Sequence, residues 1–390
     1  MPIKTRYLVE PILKDVVNKM VFLGGPRQVG KTTLAVELVG SHFKSAYFSW
    51  DKIDQRKAAL KSMYPPEAQL ILLDEFHKHL KWKTWLKGEY DSLKNRHHFL
   101  LTGSARLDTY RKGGDSLQGR YHHYRLHPFS VAELSGQKRS HVPFAPLDFS
   151  DDISEESFKV LLTFGGFPEP LVKQDERDLR RWHNERMERF FREDIRDLTL
   201  IQDLGNLTLL SELLPERVSS VLSINSLAED LQVNFRTVAN WLDVFERLYF
   251  SFRLPSYQSR KIASVRKEKK LYLWDWSGIT TLPEKFENMI ASHLLKFCHF
   301  LEDHDGWKMG LSYLRDSTGR ETDFLVTVDN KPWFAVEVKS QARQIARPLL
   351  YFRDKLKIPF CYQVLNVGGV DYEKGGIRVM SAPKFLSALV

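Results

Sequence analysis

The chain has 390 residues, 43% of them hydrophobic and 12% aromatic, which is enough for two or three packed domains at roughly 150 residues each. Lys and Arg number 58 against 49 Asp and Glu, giving a formal net charge of +9 that favours polyanionic partners. No run approaches 18 apolar residues, Met1 to Arg6 contains no apolar leader core, and Cys298 and Cys361 follow no zinc spacing. These features argue against a membrane span and a Cys/His metal centre, and the expectation is a cytoplasmic chain with two buried free thiols.

In chain order, residues 7–19 carry Leu8, Ile12, Leu13, Val16 and Val17 at helical spacing. An apolar run, Val21-Phe22-Leu23, then enters Gly24-Gly25-Pro26-Arg27-Gln28-Val29-Gly30-Lys31-Thr32-Thr33. From Gly25 the order is Gly, four residues, Gly30, Lys31, Thr32, the pattern of a phosphate-binding loop between a strand and a helix. Its glycines let backbone N–H groups close on phosphate, Lys31 would reach the β/γ oxygens, and Thr32 would ligate Mg²⁺. The helix from Thr32 to Val39 would aim its positive end at the same anion. ATP with Mg²⁺ is the expected ligand, held by Gly25, Pro26, Arg27, Gln28, Val29, Gly30, Lys31, Thr32 and Thr33.

Ala46 to Asp51 reads as a second strand, residues 55–62 as a helix, and Gln69-Leu70-Ile71-Leu72-Leu73-Asp74-Glu75 as a strand ending in two carboxylates. Asp74 would hold the Mg²⁺, and Glu75 would orient or deprotonate the attacking water. His98 to Ser104 is a further strand. Strand ends on one edge of a parallel sheet share a crevice, so Ser104 is expected beside the loop and Asp74.

Gly-Gly-Pro-Arg-Gln-Val-Gly-Lys-Thr-Thr, then Leu-Leu-Asp-Glu, then Leu-Thr-Gly-Ser-Ala resembles the prokaryotic AAA-type ATPases that carry a nuclease-like C-terminal half. That resemblance implies that Ser104 senses the γ-phosphate. Gln118-Gly119-Arg120 before Leu126-His127-Pro128-Phe129 is similar to the same family and makes Arg120 a candidate arginine finger, acting on a neighbouring subunit's nucleotide, with Arg106 and Arg111 as rivals. It further implies a homo-oligomer, with a hexameric ring as one form.

Polar, proline-containing residues 137–153 suggest a boundary. Gly165 to Pro170 and a charged helix from Asp178 to Arg196 follow, with Arg189, Arg192 and Arg196 along one face beside Glu185, Glu188 and Glu193. Residues 207–257 read as a winged helix-turn-helix. Ser226 is the expected N-cap of its first helix, completed by Glu229. In the second helix Val238, Leu242, Phe245 and Leu248 face inward, leaving Arg236, Thr237, Asn240 and Trp241 more exposed. A basic run adjoins it: Arg253, Arg260, Lys261, Arg266, Lys267, Lys269 and Lys270. DNA, branched forms included, is the expected partner.

Lys269 to Asp275 opens the last domain, and a helix over 284–300 carries Glu287. Arg320-Glu321-Thr322-Asp323 and Val336-Glu337-Val338-Lys339 lie on two strand patterns joined by Asp329-Asn330-Lys331-Pro332. Side chains two apart share a strand face, so Glu337 and Lys339 point together. Asp, then Glu-x-Lys on the next strand, resembles the PD-(D/E)XK endonuclease superfamily, although Thr322 stands where its proline would be. The resemblance implies that Asp323 and Glu337 hold Mg²⁺ or Mn²⁺, that Lys339 stabilises charge at the phosphodiester, and that Glu287 is an additional metal-binding acid.

The resulting expectation is an α/β chain in four parts: an AAA-type P-loop ATPase core over 1–140, a helical lid over 141–205, a winged helix over 206–260 and a nuclease-like α/β domain over 261–390. Such a chain would couple ATP hydrolysis to DNA processing in repair, recombination or defence. ATP-dependent remodelling of branched DNA without cleavage and an ATPase signalling switch are the alternatives.

Overall fold

The computed structural model describes residues 6–79, 81–104, 117–137, 139–149, 154–195, 203–257, 268–341 and 344–390. The chain forms two compact units. The first is built from residues 1–127 with 193–199 and 247–249, and the second from 128–192, 200–246 and 250–390.

The first unit is a parallel sheet. Strands β1 (Met20–Gly24), β2 (Ser45–Ser49), β3 (Leu70–Asp74), β4 (His98–Gly103) and β5 (Tyr121–Arg125) stand in the order β2-β3-β4-β1-β5, every neighbour parallel. All five residues of β1 are buried, and a strand covered on both faces accounts for an apolar run without alternation. Helix α1 (Val9–Val16) buries Ile12 and Val16 in register with Leu8 and leaves Val17 exposed, the stripe its spacing predicts. Helix α2 (Ile53–Leu60) follows β2. On one side of the sheet Phe22, Ile71, Leu73, Phe99 and Leu101 pack with Trp82 and Leu86 of helix α3 (Trp82–Leu93). Because the strands are parallel, Gly24, Ser49, Asp74 and Gly103 finish on one edge.

The second unit begins with short helices, α4 (Glu155–Phe164) and α5 (Pro168–Lys173), and the charged α6 (Glu176–Arg189), which passes into a π-helical turn at Phe190–Asp194. Arg189 pairs with Glu185 at 3.7 Å and Arg192 with Glu188 at 2.9 Å, so these cations answer their own helix. Arg196 lies outside the described residues.

Helices α7 (Leu204–Leu213), α8 (Ile224–Asp230) and α9 (Phe235–Arg247) precede an antiparallel ribbon of β6 (Ser251–Pro255) and β7 (Lys269–Leu273). Two sequence expectations are corrected here. Ser223, not Ser226, caps α8, accepting the Ser226 N–H at 3.2 Å. Trp241 is buried, because it shares the inner face of α9 with Val238, Leu242 and Phe245, whereas Arg236 and Asn240 are exposed.

The last part is a six-stranded mixed sheet, ordered β12-β13-β11-β10-β9-β8, with β8 (Met309–Arg315), β9 (Glu321–Val328), β10 (Lys331–Lys339), β11 (Phe360–Leu365), β12 (Asp371–Lys374) and β13 (Ile377–Ser381). The β9–β10 pair is antiparallel, while β10–β11 and β11–β13 are parallel. Helix α10 (Leu282–Asp305) packs beside β7 and β8, and α11 (Arg347–Leu356) buries Leu349 and Phe352 against Leu325, Ala335 and Val379. Asn288 of α10 clamps β7 from both sides: it accepts the Leu273 N–H and donates to the Leu273 carbonyl, each at 2.7 Å. Cys298 and Cys361 are both free and buried, as expected. Among the described residues no helix is long and apolar enough to cross a membrane.

Candidate functional site

The loop after β1 turns on two glycines. Gly25 has φ +151°, and a Cβ there would fall 2.5 Å from the Leu126 carbonyl oxygen. Gly30 has φ +96° immediately before the helix that opens at Lys31. Only a residue without a side chain accepts both demands at low cost. Lys31 is 7% exposed and donates to the carbonyls of Gly25 and Pro26 at 3.0 and 2.8 Å. Its ammonium is thus held inside the loop, close to where phosphate oxygens would compete for it. The helix continues as a π-helical turn over Leu34–Val39, an irregularity that occurs often at functional sites.

Asp74 is the organising carboxylate. Its Oδ2 accepts from Thr32 Oγ1 at 3.3 Å and from the Tyr47 hydroxyl at 2.7 Å, and its Oδ1 accepts from Thr102 Oγ1. Burial first, and the Asp74 bond second, push the Tyr47 hydroxyl well above its ordinary value, so Tyr47 stays a donor. Glu75 follows at φ +58°, with Oε2 3.3 Å from Ser104 Oγ and 3.5 Å from His77 Nε2. The predicted residues Lys31, Thr32, Asp74, Glu75 and Ser104 therefore meet at one sheet edge.

Sequence reasoning missed several residues around this group. Arg6, 5% exposed, donates to the Val29 carbonyl at 3.0 Å and to the His127 carbonyl at 2.5 Å, tying the phosphate loop to the end of β5. Thr102 stands two residues before Ser104 in a segment already marked as functional, and its neighbour Asp74 on β3 could have drawn notice through strand pairing. Arg6 gave no such signal, since its partners are backbone atoms distant in sequence.

Arg120 is not at this edge. It precedes β5, where Met20 pairs with Tyr121, and the loop lies at the other end, where Gly24 pairs with Arg125. Five strand residues separate the two ends by roughly 16 Å. Its guanidinium instead grips Asp91 of α3 in a bidentate pair at 2.9 and 3.0 Å. A finger acting on the chain's own nucleotide is excluded by this placement. Arg106 and Arg111 lie outside the described residues.

A second constellation lies in the second unit. Asp323 on β9 accepts the Val338 N–H of β10 through Oδ2 at 2.8 Å, and Lys339 pairs with Glu337 Oε1 at 2.8 Å. Glu287 of α10 accepts from the Tyr272 hydroxyl at 2.9 Å. Lys270 of β7, which the sequence places in a basic run, is 3% exposed and stands among these acids. Its Nζ is 2.5 Å from Glu321 Oε1, 3.6 Å from Glu287 Oε1 and 3.8 Å from Asp323 Oδ1. Burial raises the pKa of Glu287, Asp323 and Glu337, and for Glu287 and Glu337 the Asp323 charge adds to it. Burial acts to lower the pKa of Lys270, but Glu287, Asp323 and Glu321 outweigh it and hold it above the ordinary value.

The predicted metal site is corrected accordingly. Among the described residues no group of three or more His, Cys, Asp or Glu side chains is arranged to hold a metal ion. Glu337, 3% exposed, keeps one carboxylate oxygen, Oε2, without a hydrogen-bond partner, which suits a cation. An ammonium nevertheless stands between Glu287 and Asp323, so the arrangement does not fit a metal as it is.

The basic run is also altered. Arg253 is drawn inward to Asp243 at 2.6 Å and Glu246 at 2.8 Å. Lys269 remains exposed, and Arg260, Lys261, Arg266 and Lys267 lie outside the described residues.

Residues 17–135 match the family described as an AAA domain. This part of the chain is an AAA-type ATPase domain. Residues 155–286 and 284–385 match two domains of unknown function, DUF8612 and DUF4143. The chain is similar to the uncharacterized proteins MJ1544 and MJ1637 of Methanocaldococcus jannaschii. Identity to the first is 24%, covering 82% of this chain and 74% of that protein. Identity to the second is also 24%, over 87% and 81%. Among solved structures there is a likeness, with a TM-score of 0.31 and 12% identity, to a Signal Transduction ATPase with Numerous Domains (STAND) protein with a tetratricopeptide repeat sensor from Pyrococcus horikoshii. It covers 77% of this chain, and the chain spans 48% of that protein.

Proposed function

We propose that the chain is an ATP-hydrolysing, DNA-processing protein in which the AAA-type motor works with a nuclease-like domain that binds or cleaves DNA. The observation that carries the motor is the meeting of Lys31, Thr32, Asp74, Glu75 and Ser104 at the end of β1, β3 and β4. Lys31 leaves the Gly25 and Pro26 carbonyls for the β/γ-phosphate oxygens. Thr32 and Asp74 are the groups that would hold Mg²⁺, which when bound neutralises charge on the phosphates. Tyr47 and Thr102 fix the Asp74 carboxylate, and Glu75 takes the proton of the attacking water while Ser104 reports the γ-phosphate.

Support for DNA comes from the net charge of +9, from the helix pair α8 and α9 with Arg236 and Asn240 exposed, and from the ribbon that follows. Helix pairs of this kind also bind protein, which would make the chain a signalling switch. The second reading, remodelling of branched DNA without cleavage, is favoured by Lys270, whose ammonium occupies the middle of the Glu287–Asp323 cluster.

The test is ATP turnover with and without duplex, forked and four-way DNA. Stimulation by DNA is expected. Lys31→Ala should lose nucleotide binding, and Glu75→Gln should bind ATP but turn over at least ~100-fold more slowly. Equal ATP affinity in wild type and Lys31→Ala would sink the motor, and turnover indifferent to every DNA would move weight to the signalling switch.

A further inference from the structure

Two cations stand in the phosphate loop, and the protein itself supplies acceptors to each. Lys31 leans on the neutral carbonyls of Gly25 and Pro26. Arg27, earlier in the same loop, has its Nη1 2.5 Å from Oε2 of Glu193, a full negative charge. Both members of this pair belong to the first unit, although the residues on either side of the stretch 193–199 belong to the second. Local structure explains how Glu193 comes to face the loop. Along α6 the acids answer arginines one turn on, Glu185 with Arg189 and Glu188 with Arg192. In a continued α-helix Glu193 would stand over Arg189. The chain instead passes through the π-helical turn Phe190–Asp194, whose longer bonding step shifts Glu193 off that ladder, and its carboxylate reaches Arg27. Turns of this kind recur at functional sites.

We propose that Glu193 is an internal stand-in for nucleotide phosphate: it holds the Arg27 side chain until a nucleoside triphosphate takes it, so that Arg27 is a side-chain ligand of the phosphates and ATP binding frees Glu193. This rests on reading residues 25–32 as the ATP loop. A guanidinium grips carboxylate and phosphate through the same forked set of donors, and the several charges of a triphosphate outweigh one carboxylate. By linkage the effect runs both ways: whatever Glu193 withholds from nucleotide affinity, the nucleotide returns as release of the segment that carries Glu193. Both side chains are partly exposed, so solvent screens the pair and the exchange sets a modest factor in affinity rather than an all-or-none switch.

The experiment measures the Kd of the full chain for a non-hydrolysable ATP analogue with Mg²⁺, in wild type, Lys31→Ala, Arg27→Gln, Glu193→Gln and the Arg27→Gln, Glu193→Gln double variant. Amide hydrogen exchange over residues 190–195 is followed in parallel. Glu193→Gln should bind about two- to fivefold more tightly than wild type, and Arg27→Gln about tenfold or more weakly. The double variant should match Arg27→Gln, because Glu193 acts through Arg27. The analogue should speed exchange over 190–195 in wild type but not in Glu193→Gln, where release is already complete. A double variant that keeps the whole Glu193→Gln gain would make Glu193 a general repulsive charge and overturn the stand-in. Exchange in wild type that is indifferent to the analogue would overturn the release. Unchanged affinity in Arg27→Gln and Glu193→Gln, with binding still lost in Lys31→Ala, would overturn the stand-in while leaving the ATP loop. Equal affinity in wild type and Lys31→Ala would overturn the stand-in and the ATP loop together.

Discussion

His293 of α10 gives the chain a calculable weakness to acid. The ring is 2% exposed, its Nδ1 lies 2.8 Å from the Met289 carbonyl, and its Nε2 accepts the Val131 N–H at 3.1 Å. Both nitrogens are thus used by the neutral form, and a second proton would set Nε2–H against Val131 N–H. Burial pushes the ring down from 6.5 to about 3; the bond to Met289 opposes this, Lys296 adds to it and Glu133 opposes it. Because the folded value is depressed, the contribution to stability is complete above about 6.5 and is lost as pH falls towards 3. Between pH 7 and pH 5 the unfolded ring changes from mostly neutral to mostly charged while the folded ring stays neutral. At 1.36 kcal/mol per pK unit that withdraws about 2 kcal/mol, or roughly 4–8 °C in melting temperature for a domain of this size. Urea denaturation at pH 7, 6 and 5 should show wild type losing that much more than His293→Gln, whose amide can still accept from Val131 but does not titrate. His141, which burial also lowers, is common to both proteins and cancels. Equal pH slopes, or a His293 ring that titrates near 6.5, would refute the argument.

Arg6→Met keeps the apolar stem but removes the two bonds to the Val29 and His127 carbonyls; at ~1.5–3 kcal/mol for a charge-assisted bond, affinity for a non-hydrolysable ATP analogue should fall at least tenfold with the circular dichroism spectrum unchanged, and an unaltered Kd would remove Arg6 from the phosphate loop's support. Arg120→Ala and Asp91→Ala break the same exposed pair, so they should alter stability equally little. If Arg120 acts on a neighbour's nucleotide, Arg120→Ala alone should lower ATP turnover, by ~10³-fold or more. Matching turnover in the two variants, or a fully active monomer by light scattering, would end the finger proposal.

The parallel sheet was legible because its strands are continuous apolar runs: Val21-Phe22-Leu23 and Leu70-Ile71-Leu72-Leu73 are buried on both faces, and their punctuation by Gly25 and Asp74 announces which edge binds phosphate. Boundaries were less legible. Ser223 and Ser226 are equally good caps three residues apart, so local chemistry alone does not choose between them for α8. Trp241 reads as outward-facing in the sequence because amphipathic spacing marks a stripe but not its width, and α9 buries a face wide enough for Val238, Trp241, Leu242 and Phe245 together.

Charge was the harder part, because a sequence displays the sign of a side chain and not what stands opposite it. Arg253 and Lys270 contributed to a basic run that suggested phosphate, yet each is spent on carboxylates of its own unit, Asp243 and Glu246 for the first and Glu321, Glu287 and Asp323 for the second. One feature did point the right way: in Lys269-Lys270-Leu271-Tyr272-Leu273 strand alternation puts Lys270 on the same face as Tyr272, and Tyr272 is the residue that reaches Glu287. A lysine sharing a strand face with a buried aromatic has to find acids or lose its charge. Two of the three acids it found, Glu287 and Asp323, are among those that the endonuclease resemblance would give to a metal, and the third is Glu321. A nuclease-like arrangement and a structural ion cluster therefore carry the same letters in the sequence, and what separates them is the position of one ammonium group.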